Sequence, residues 1–382
     1  MDINELDTPC AVLDLFRMDR NIKRMQEHME ELGVKFRPHA KTSKCVEVVN
    51  AQIAAGARGI TVSTVKEAEA FFAAGITDIL YAVCISAAKL PRILALRRRG
   101  CNVKVIVDSV PAARAVCDFG RRHNERFDVW IEVDTDGHRS GIPPAGGELL
   151  EVGRLLHGQG ARVGGVLTHA GSSYELHTPE KLAGLAERER AGCVLSATRL
   201  REAGIPCEHV SVGSTPTAFA AGSLEGVTEV RAGVYVFFDL VMKNVGVCSV
   251  DDIALSVMTT VIGHQKDKGW IMVDAGWMAM SRDRGTAGQT LDYGYGLPCL
   301  PDGTPLHGFA VIGANQEHGI ISRVATDAKS STADVDIEAE FPLGCRLRIL
   351  PNHACATGAQ HDVLYAIDAN AGVTPWQRFR GW

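Results

Sequence analysis

The chain has 382 residues, 46% of them hydrophobic and 22% charged, which is enough for one large domain and a smaller one, each with an apolar core. Its formal net charge of −5 and the lack of a dominant arginine or lysine run give no indication of a nucleic-acid or membrane surface. The first residues show no basic or apolar leader, and no uncharged apolar stretch of about twenty residues occurs. The eleven cysteines are scattered, as is typical of reduced thiols. We therefore expect a cytoplasmic protein.

Short apolar strands alternate with amphipathic helices over residues 16–244. An apolar run at 10–15 comes first, and a helix predicted at 17–32 carries Met18, Ile22, Met25 and Met29 on one side. The strands that follow are predicted at 35–41, 59–63, 78–82, 103–107, 127–133, 163–169, 208–212 and 227–236. Eight strands that alternate with helices predict parallel pairing with right-handed crossovers. We therefore predict an α/β fold, with a TIM-type (β/α)8 barrel over residues 16–244.

The pattern changes after about residue 245. Strand-like segments follow at 255–263, 270–274, 309–313, 345–350 and 363–367, with Gly, Pro and Asp between them and no convincing helix. We predict a second, all-β domain at 245–382 that residues 1–15 complete. No GxGxxG or Walker-type glycine loop occurs, so a nucleotide-binding function has little support.

One basic stretch, residues 37–44, leads from the first barrel strand into a helix. Alternate side chains share a face of a strand, so Arg37, His39 and Lys41 are expected to project together. Such crowding favours a bound anion and lowers the pKa of a lysine, which helps an amine to act as nucleophile or base. An anionic cofactor that carries an aldehyde would satisfy both conditions. The alternative is a basic turn at a solvated strand end.

Other candidate residues follow the later strands, at the barrel end where such enzymes work. Arg139 lies in a glycine-punctuated loop after the fifth strand, His169 ends the sixth, and Gly213-Ser214-Thr215 follows the seventh. Small residues and hydroxyls at a turn can hold a phosphate. Each has an ordinary alternative: a loop salt bridge, a core histidine and a helix N-cap, respectively. Their joint placement with Lys41 indicates a pyridoxal phosphate site.

A second constellation lies at residues 350–357 of the predicted β domain. In an extended segment His353 and Cys355 face the same way, so imidazole and thiolate could bind one metal ion. Two protein ligands leave positions open for water or substrate, as in a catalytic metal site. The alternative is a buried cysteine beside a structural histidine.

Four motifs, at 37–44, 134–141, 212–217 and 351–357, together resemble the fold type III (alanine-racemase-like) pyridoxal phosphate enzymes. The resemblance covers essentially the whole chain. Within this family, the motifs resemble most specifically the branch that contains D-threonine aldolase and D-serine dehydratase. Segments 230–239, 274–280 and 313–319 are similar to the D-threo-3-hydroxyaspartate dehydratases of that branch. The resemblance implies a barrel with a C-terminal all-β domain.

The resemblance also implies individual functions for residues of the chain. Lys41 would form the Schiff base with pyridoxal 5'-phosphate and act as the catalytic base, and Arg139 would lie against the pyridine nitrogen. The other implied cofactor contacts are His169, Tyr174, Gly213, Ser214, Thr215 and Gly233. His353 and Cys355 would bind a catalytic divalent metal, zinc or else manganese, magnesium or cobalt. A homodimer is implied as well.

The implied activity is metal-dependent dehydration of a small D-β-hydroxy amino acid, namely D-threo-3-hydroxyaspartate to oxaloacetate and ammonia. Arg231, Arg282 and Arg284 are the candidates for binding its second carboxylate. The alternatives are retro-aldol cleavage by a D-threonine or D-3-hydroxyamino-acid aldolase, D-serine dehydration, and a non-catalytic pyridoxal phosphate homeostasis protein.

Overall fold

The computed structural model describes residues 3–324 and 336–382. The chain divides into two compact units. The first, here called the barrel unit, comprises Ile22–Tyr235 with the last two residues, and the second, the β unit, comprises Met1–Asn21 and Val236–Arg380. Each unit is described separately below.

The strands and helices are numbered along the chain. The strands are β1 (Cys10–Asp14), β2 (Lys35–Phe36), β3 (Ile60–Val62), β4 (Asp78–Cys84), β5 (Asn102–Val107), β6 (Asp128–Glu132), β7 (Arg162–Leu167), β8 (His209–Val212), β9 (Glu229–Val230), β10 (Leu255–Gln265), β11 (Trp270–Val273), β12 (Leu297–Cys299), β13 (Phe309–Ala314), β14 (Gly319–Arg323), β15 (Arg346–Leu350), β16 (Val363–Ile367) and β17 (Val373–Gln377). The helices are α1 (Leu15–Glu31), α2 (Val46–Ala54), α3 (Val65–Ala73), α4 (Leu90–Arg98), α5 (Val110–His123), α6 (Glu148–Gly158), α7 (Pro179–Glu202), α8 (Thr215–Ala220), α9 (Leu240–Val245), α10 (Trp277–Met280), α11 (Ile337–Glu340) and α12 (Ala354–Gly358).

Eight parallel strands form the sheet of the barrel unit within the described residues, in the order β2-β9-β8-β7-β6-β5-β4-β3. A parallel bridge between His39 and Thr61 joins the two outer strands, so the sheet closes on itself. Several strands are buried on both faces, as Ile79, Leu80 and Tyr81 of β4 show, because helices cover the outside of such a sheet. The predicted fold class is confirmed.

Helices of the barrel unit follow the predicted amphipathic pattern. On α1 the predicted apolar side, with Met25 and Met29, is fully buried, although the helix begins two residues earlier than predicted. Helix α3 begins after Thr64, whose side chain accepts a hydrogen bond from Glu67 N. In the described part of the chain no helix combines the length and the apolar character that crossing a bilayer requires.

An ionic network occupies the amino ends of the barrel strands. Arg37 Nε donates to both carboxylate oxygens of Glu229, at 3.1 and 3.0 Å, and its Nη1 lies 3.0 Å from Asp78 Oδ1. Lys104 also pairs with Asp78. Arg37 is therefore neutralised by two carboxylates, and the predicted crowding of its charge against Lys41 is wrong. The sequence pattern missed this because the partners lie 41 and 192 residues away.

The β unit is built on a mixed sheet with the order β13-β14-β11-β10-β1-β16-β17; β15 also pairs with β10, and β12 pairs with β15. Most pairs are antiparallel, but β1 pairs with β16 in parallel, so the amino-terminal strand lies inside this sheet. Its core includes Val257, Ile271, Val311, Ile321 and Ile349, all fully buried. The predicted all-β domain is thus confirmed as a fold class.

The details of the β unit differ from the sequence expectation in two ways. Strands β12, β14 and β17 were not predicted, and short helices α9 to α12 interrupt the strands. These helices have four to six residues, too few to show a 3.6-residue period. Caps mark two of them, because Asp239 accepts a hydrogen bond from Met242 N and Asp336 accepts from Glu338 N.

Candidate active site

Lys41 lies at the carboxyl end of the first barrel strand. Beyond β2 the backbone stays extended, with Arg37 N bonded to Val230 O at 2.9 Å and His39 N bonded to Ala232 O at 2.8 Å. The chain then turns, and Lys44 N donates to Ala40 O. The Lys41 side chain is half-buried, and among the described residues no carboxylate forms an ion pair with it. An amine without a carboxylate partner is available to bind an electrophile.

Two neutral histidines accompany Lys41 at the carboxyl ends of the strands, here called the mouth. Burial and the charge of Lys41 lower the pKa of His169 to about 3 and hold the pKa of His39 well below its usual value. His169 Nδ1 donates to Gly213 O at 3.1 Å. His39 Nδ1 accepts from Lys41 N at 3.4 Å. The rings therefore add no positive charge near the amine.

The predicted phosphate-binding residues meet at the mouth as well. Gly213 has a φ of +128°, and a Cβ there would lie 2.3 Å from Arg231 O, so only glycine fits. Ser214 caps α8 in a capping box with Thr217. The backbone N–H groups of Thr215 and Gly233 have no acceptor among the described residues. Two such donors on small residues fit the oxygens of a phosphate.

A buried carboxylate that the sequence analysis missed organises this region. Glu189 of α7 accepts from Ala170 N at 3.1 Å and from Gly213 N at 2.9 Å, and so holds the turns after β7 and β8 together. Burial raises the pKa of its carboxyl even though these hydrogen bonds oppose the shift. Glu189 lies in the middle of a helix, where no local sequence pattern indicates this function.

Arg139 projects from the loop after β6. Its Nη2 lies 3.6 Å from Glu132 Oε1, and Glu132 also accepts from Ser140 Oγ at 3.1 Å, so one buried carboxylate anchors the arginine loop. Asp136 of the same loop accepts from the backbone and the hydroxyl of Ser172. This contact joins the loop to the segment with Tyr174, whose ring centroid is 6.5 Å from that of His169.

Cys84, Asp108 and Glu132 form a further cluster, at the ends of three adjacent strands. Their ligand atoms all lie within 4.8 Å of one another. Cys84 Sγ donates to Glu132 Oε2 at 3.2 Å, and burial together with both carboxylates raises the pKa of the thiol. The sequence analysis did not identify this cluster, whose thiol is a hydrogen-bond donor to Glu132.

His353 and Cys355 belong to the β unit. The extended segment predicted for them ends at His353, whose backbone is extended as the N-cap of α12, and Cys355 is in the first turn of that helix. The two side chains are nevertheless hydrogen-bonded to each other. A histidine and a cysteine form a nitrogen and sulfur donor pair of the kind zinc prefers, and two protein ligands leave coordination positions for water or substrate.

Asp283 is the site residue of the β unit that sequence reasoning missed. Its Oδ2 accepts from His353 Nδ1 at 2.6 Å, which leaves Nε2 as the ring nitrogen for a metal. Burial alone would lower the pKa of His353, but Cys355 and Asp283 outweigh it and raise the pKa to about 11. The 70 residues that separate the partners explain why no local pattern marks the pair.

The three arginines considered for a substrate carboxylate differ in their partners. Arg231 is buried in the barrel and donates to Ser211 Oγ and Thr168 O. Arg284 pairs with Asp292 at 2.8 Å. The guanidinium of Arg282 lies 4.1 Å from the centre of the Trp277 ring and has no carboxylate partner among the described residues. Arg282 is thus the exposed candidate without a carboxylate partner.

Two family models match the chain in succession. Residues 13–241 match the alanine racemase N-terminal domain, and residues 254–367 match a putative serine dehydratase domain. The chain belongs to the alanine-racemase-like family. The family predicted from the sequence motifs is therefore confirmed.

Relatives lie in the predicted branch of this family. The D-threo-3-hydroxyaspartate dehydratase of Delftia sp. (strain HT23) is 64% identical to the chain over 99% of the chain and 98% of the relative. The D-threonine aldolase of Arthrobacter sp is 29% identical over 97% of the chain and 92% of the relative. A solved structure of a cysteine-to-alanine mutant of D-threo-3-hydroxyaspartate dehydratase, in the metal-free form, superposes with a TM-score of 0.97 at 63% identity and full coverage of both chains.

Replacement of Asp283 by alanine is expected to weaken metal binding by about 10- to 100-fold, because His353 loses the carboxylate that orients its ring. The measurement is a zinc titration against a competing chelator of known affinity. Asp302→Ala, which removes an exposed carboxylate bonded to Thr304 N in the same unit, is the matched control. Equal zinc affinity in the Asp283 variant and the wild type would contradict the orienting function.

Proposed function

We propose that the protein is a pyridoxal phosphate- and divalent-metal-dependent dehydratase of D-β-hydroxy amino acids. The substrate we assign is D-threo-3-hydroxyaspartate, and the products are oxaloacetate and ammonia. The strongest support is the whole-chain identity of 64% to an enzyme of that name. The free amine of Lys41, the unpaired N–H groups at Thr215 and Gly233, and the His353–Cys355 pair agree with that chemistry.

The mouth of the barrel unit fits pyridoxal phosphate, and the pair in the β unit fits a metal ion. When bound, pyridoxal phosphate supplies an aldehyde that captures the substrate amine and a ring that withdraws electrons from Cα. A metal ion supplies a Lewis acid for the departing hydroxyl group. Thr215 and Gly233 would hold the phosphate, and His353 and Cys355 would hold the metal.

Lys41 performs the proton transfer in this proposal. Its amine would take the proton from the substrate Cα. Because burial and the charge of Lys41 keep His39 and His169 neutral, neither ring adds a positive charge beside the amine. His169 is fixed by its hydrogen bond to Gly213 O, so its ring can also form one wall of the cofactor site.

Arg139 sets the electronic behaviour of the site. A guanidinium is always protonated in proteins, so Arg139 would keep the ring nitrogen of bound pyridoxal phosphate without a proton. Glu132 holds the loop that carries Arg139. The cofactor ring would then withdraw less electron density from Cα, and a metal ion, which His353 and Cys355 would hold, would supply a Lewis acid for loss of the β-hydroxyl group. Elimination of water and hydrolysis of the resulting enamine yield the 2-oxo acid and ammonia.

The second candidate function is that of a D-3-hydroxyamino-acid aldolase. The D-threonine aldolase of Arthrobacter sp, 29% identical to the chain, is the observation that favours it. An aldolase can use the same lysine and metal, but it breaks the bond between Cα and Cβ. Homodimeric assembly and a cytoplasmic location stay predictions, which gel filtration and cell fractionation check.

Product analysis tests the proposed function directly. The purified protein, saturated with pyridoxal phosphate, is assayed with D-threo-3-hydroxyaspartate, D-serine and D-threonine, with and without zinc or manganese. We expect oxaloacetate and ammonia from hydroxyaspartate, and loss of that activity after chelation because the hydroxyl then leaves unassisted. Glycine and an aldehyde as products would favour the aldolase, and full activity after verified metal removal would refute the metal's function.

Lys41→Ala is expected to abolish the visible absorbance of the bound cofactor and to reduce kcat by about 10³-fold, because the amine both binds the aldehyde and moves the Cα proton. The absorbance spectrum and the rate of ammonia release are the measurements. Lys66→Ala, on the exposed side of α3, is the control and should retain both. Normal turnover by the Lys41 variant would remove this residue from the mechanism.

Arg282→Gln is expected to raise the KM for D-threo-3-hydroxyaspartate by about tenfold or more, because a charge-assisted hydrogen bond to its second carboxylate is lost. The KM for D-serine, which has no second carboxylate, should not change. Arg284→Gln serves as the control, since Arg284 is already paired with Asp292. Equal effects on both substrates would exclude Arg282 as the specificity residue.

A further inference from the structure

The barrel unit contains a cavity of about 460 Å³ at the end opposite the mouth. Its wall includes the first residue of β2 and of every strand from β4 to β9, for example Lys35, Asp78 and Glu229. Because parallel strands begin at one end of a barrel, this amino-end cavity is separate from Lys41 and from the phosphate-binding turns. No part of the proposed reaction uses it.

The wall of the amino-end cavity has a surplus of positive charge. Its described lining residues include five cationic side chains and three carboxylates, so two positive charges are left over. The one lining histidine, His209, is stacked on Trp130, and burial lowers its pKa, so it adds no charge. A concave surface with uncompensated cations attracts anions.

The carboxylates of the wall are already bound to cations. Asp78 accepts from Arg37 and Lys104, Glu229 accepts from Arg37, and Asp128 Oδ2 lies 3.2 Å from Arg162 Nη1. These internal pairs occupy the three carboxylates and three of the cations. Among the carboxylate oxygens of the wall, only Asp128 Oδ1 is left without a partner in the described part of the chain.

Lys35 and Arg58 are the two cations that remain. Both are exposed at the rim, and neither has an ion pair or a side-chain hydrogen bond among the described residues. The wall is incomplete at a second place, because Trp130 Nε1 and Asp128 Oδ1 are buried without a partner among the residues described. Both atoms face Gly164, where a Cβ would lie 2.4 Å from Trp130 Nε1 and 2.2 Å from Asp128 Oδ1. Unpaired buried polar atoms of this kind usually contact a further polar group.

We propose that the amino-end cavity binds a small oxyanion, a phosphate or a carboxylic acid with more than one charge, through Lys35 and Arg58. The volume is that of a small-molecule site, and the free donors of a guanidinium and an ammonium suit carboxylate and phosphate oxygens. The site lies apart from the mouth, so an anion bound here does not compete with the substrate for the catalytic lysine.

Isothermal titration calorimetry of the protein saturated with pyridoxal phosphate tests the site. Inorganic phosphate and malate are titrated separately at constant ionic strength in chloride, which distinguishes a phosphate site from a carboxylate site. We expect one saturable site per chain for at least one of the two anions. Lys35→Gln combined with Arg58→Gln should weaken that binding at least tenfold, and turnover should stay unchanged because neither residue lies at the mouth.

The matched control is the pair Lys66→Gln and Arg114→Gln, which removes the same charge from exposed positions of α3 and α5 outside the cavity. This control should bind the anion as the wild type does. Three outcomes would overturn the proposal: no heat beyond that of chloride, equal affinity in the cavity variant and the wild type, or equal weakening in the cavity variant and the control.

Discussion

All strands of the barrel unit run in one direction, and this constraint sorts the side chains of the unit into two ends. The residues that begin the strands, such as Asp78, Asp128 and Glu229, meet in a charged network at one end. The residues that follow the strands, Lys41 and Arg139 among them, meet at the other end. A parallel sheet therefore separates the ionic interactions that hold the barrel from the groups that we propose carry out the chemistry.

Electrostatics at the mouth depends on burial more than on charge pairing. The lysine amine has no described carboxylate partner, and the two histidines beside it are neutral because they are desolvated next to a cation. Carboxylates are present at this end, but they bind backbone or loop groups: Glu189 holds two strand-end turns, and Glu132 holds the loop of Arg139. Acidic groups thus shape the site without neutralising the amine.

The β unit provides its donor pair by a different route. A strand, β15, ends where a short helix begins, and the change of direction brings an imidazole and a thiol together. Asp283, from a distant segment, fixes which ring nitrogen is left for a metal. Donor groups on rigid elements, oriented by a partner, are what a metal site with open positions needs.

The alternation of strands and helices, the basic stretch before Lys41 and the motif around His353 are local patterns, so the sequence by itself determined the fold class, the family and the candidate residues. Tertiary structure alone decided which charges cancel. Arg37 is neutralised by residues 41 and 192 positions away, Glu189 acts from the middle of a helix, and Asp283 meets a histidine 70 residues later. Such pairings leave no periodic pattern in the sequence, because they form only when distant segments pack. The short helices of the β unit were not predicted because their four to six residues are too few to show a helical period.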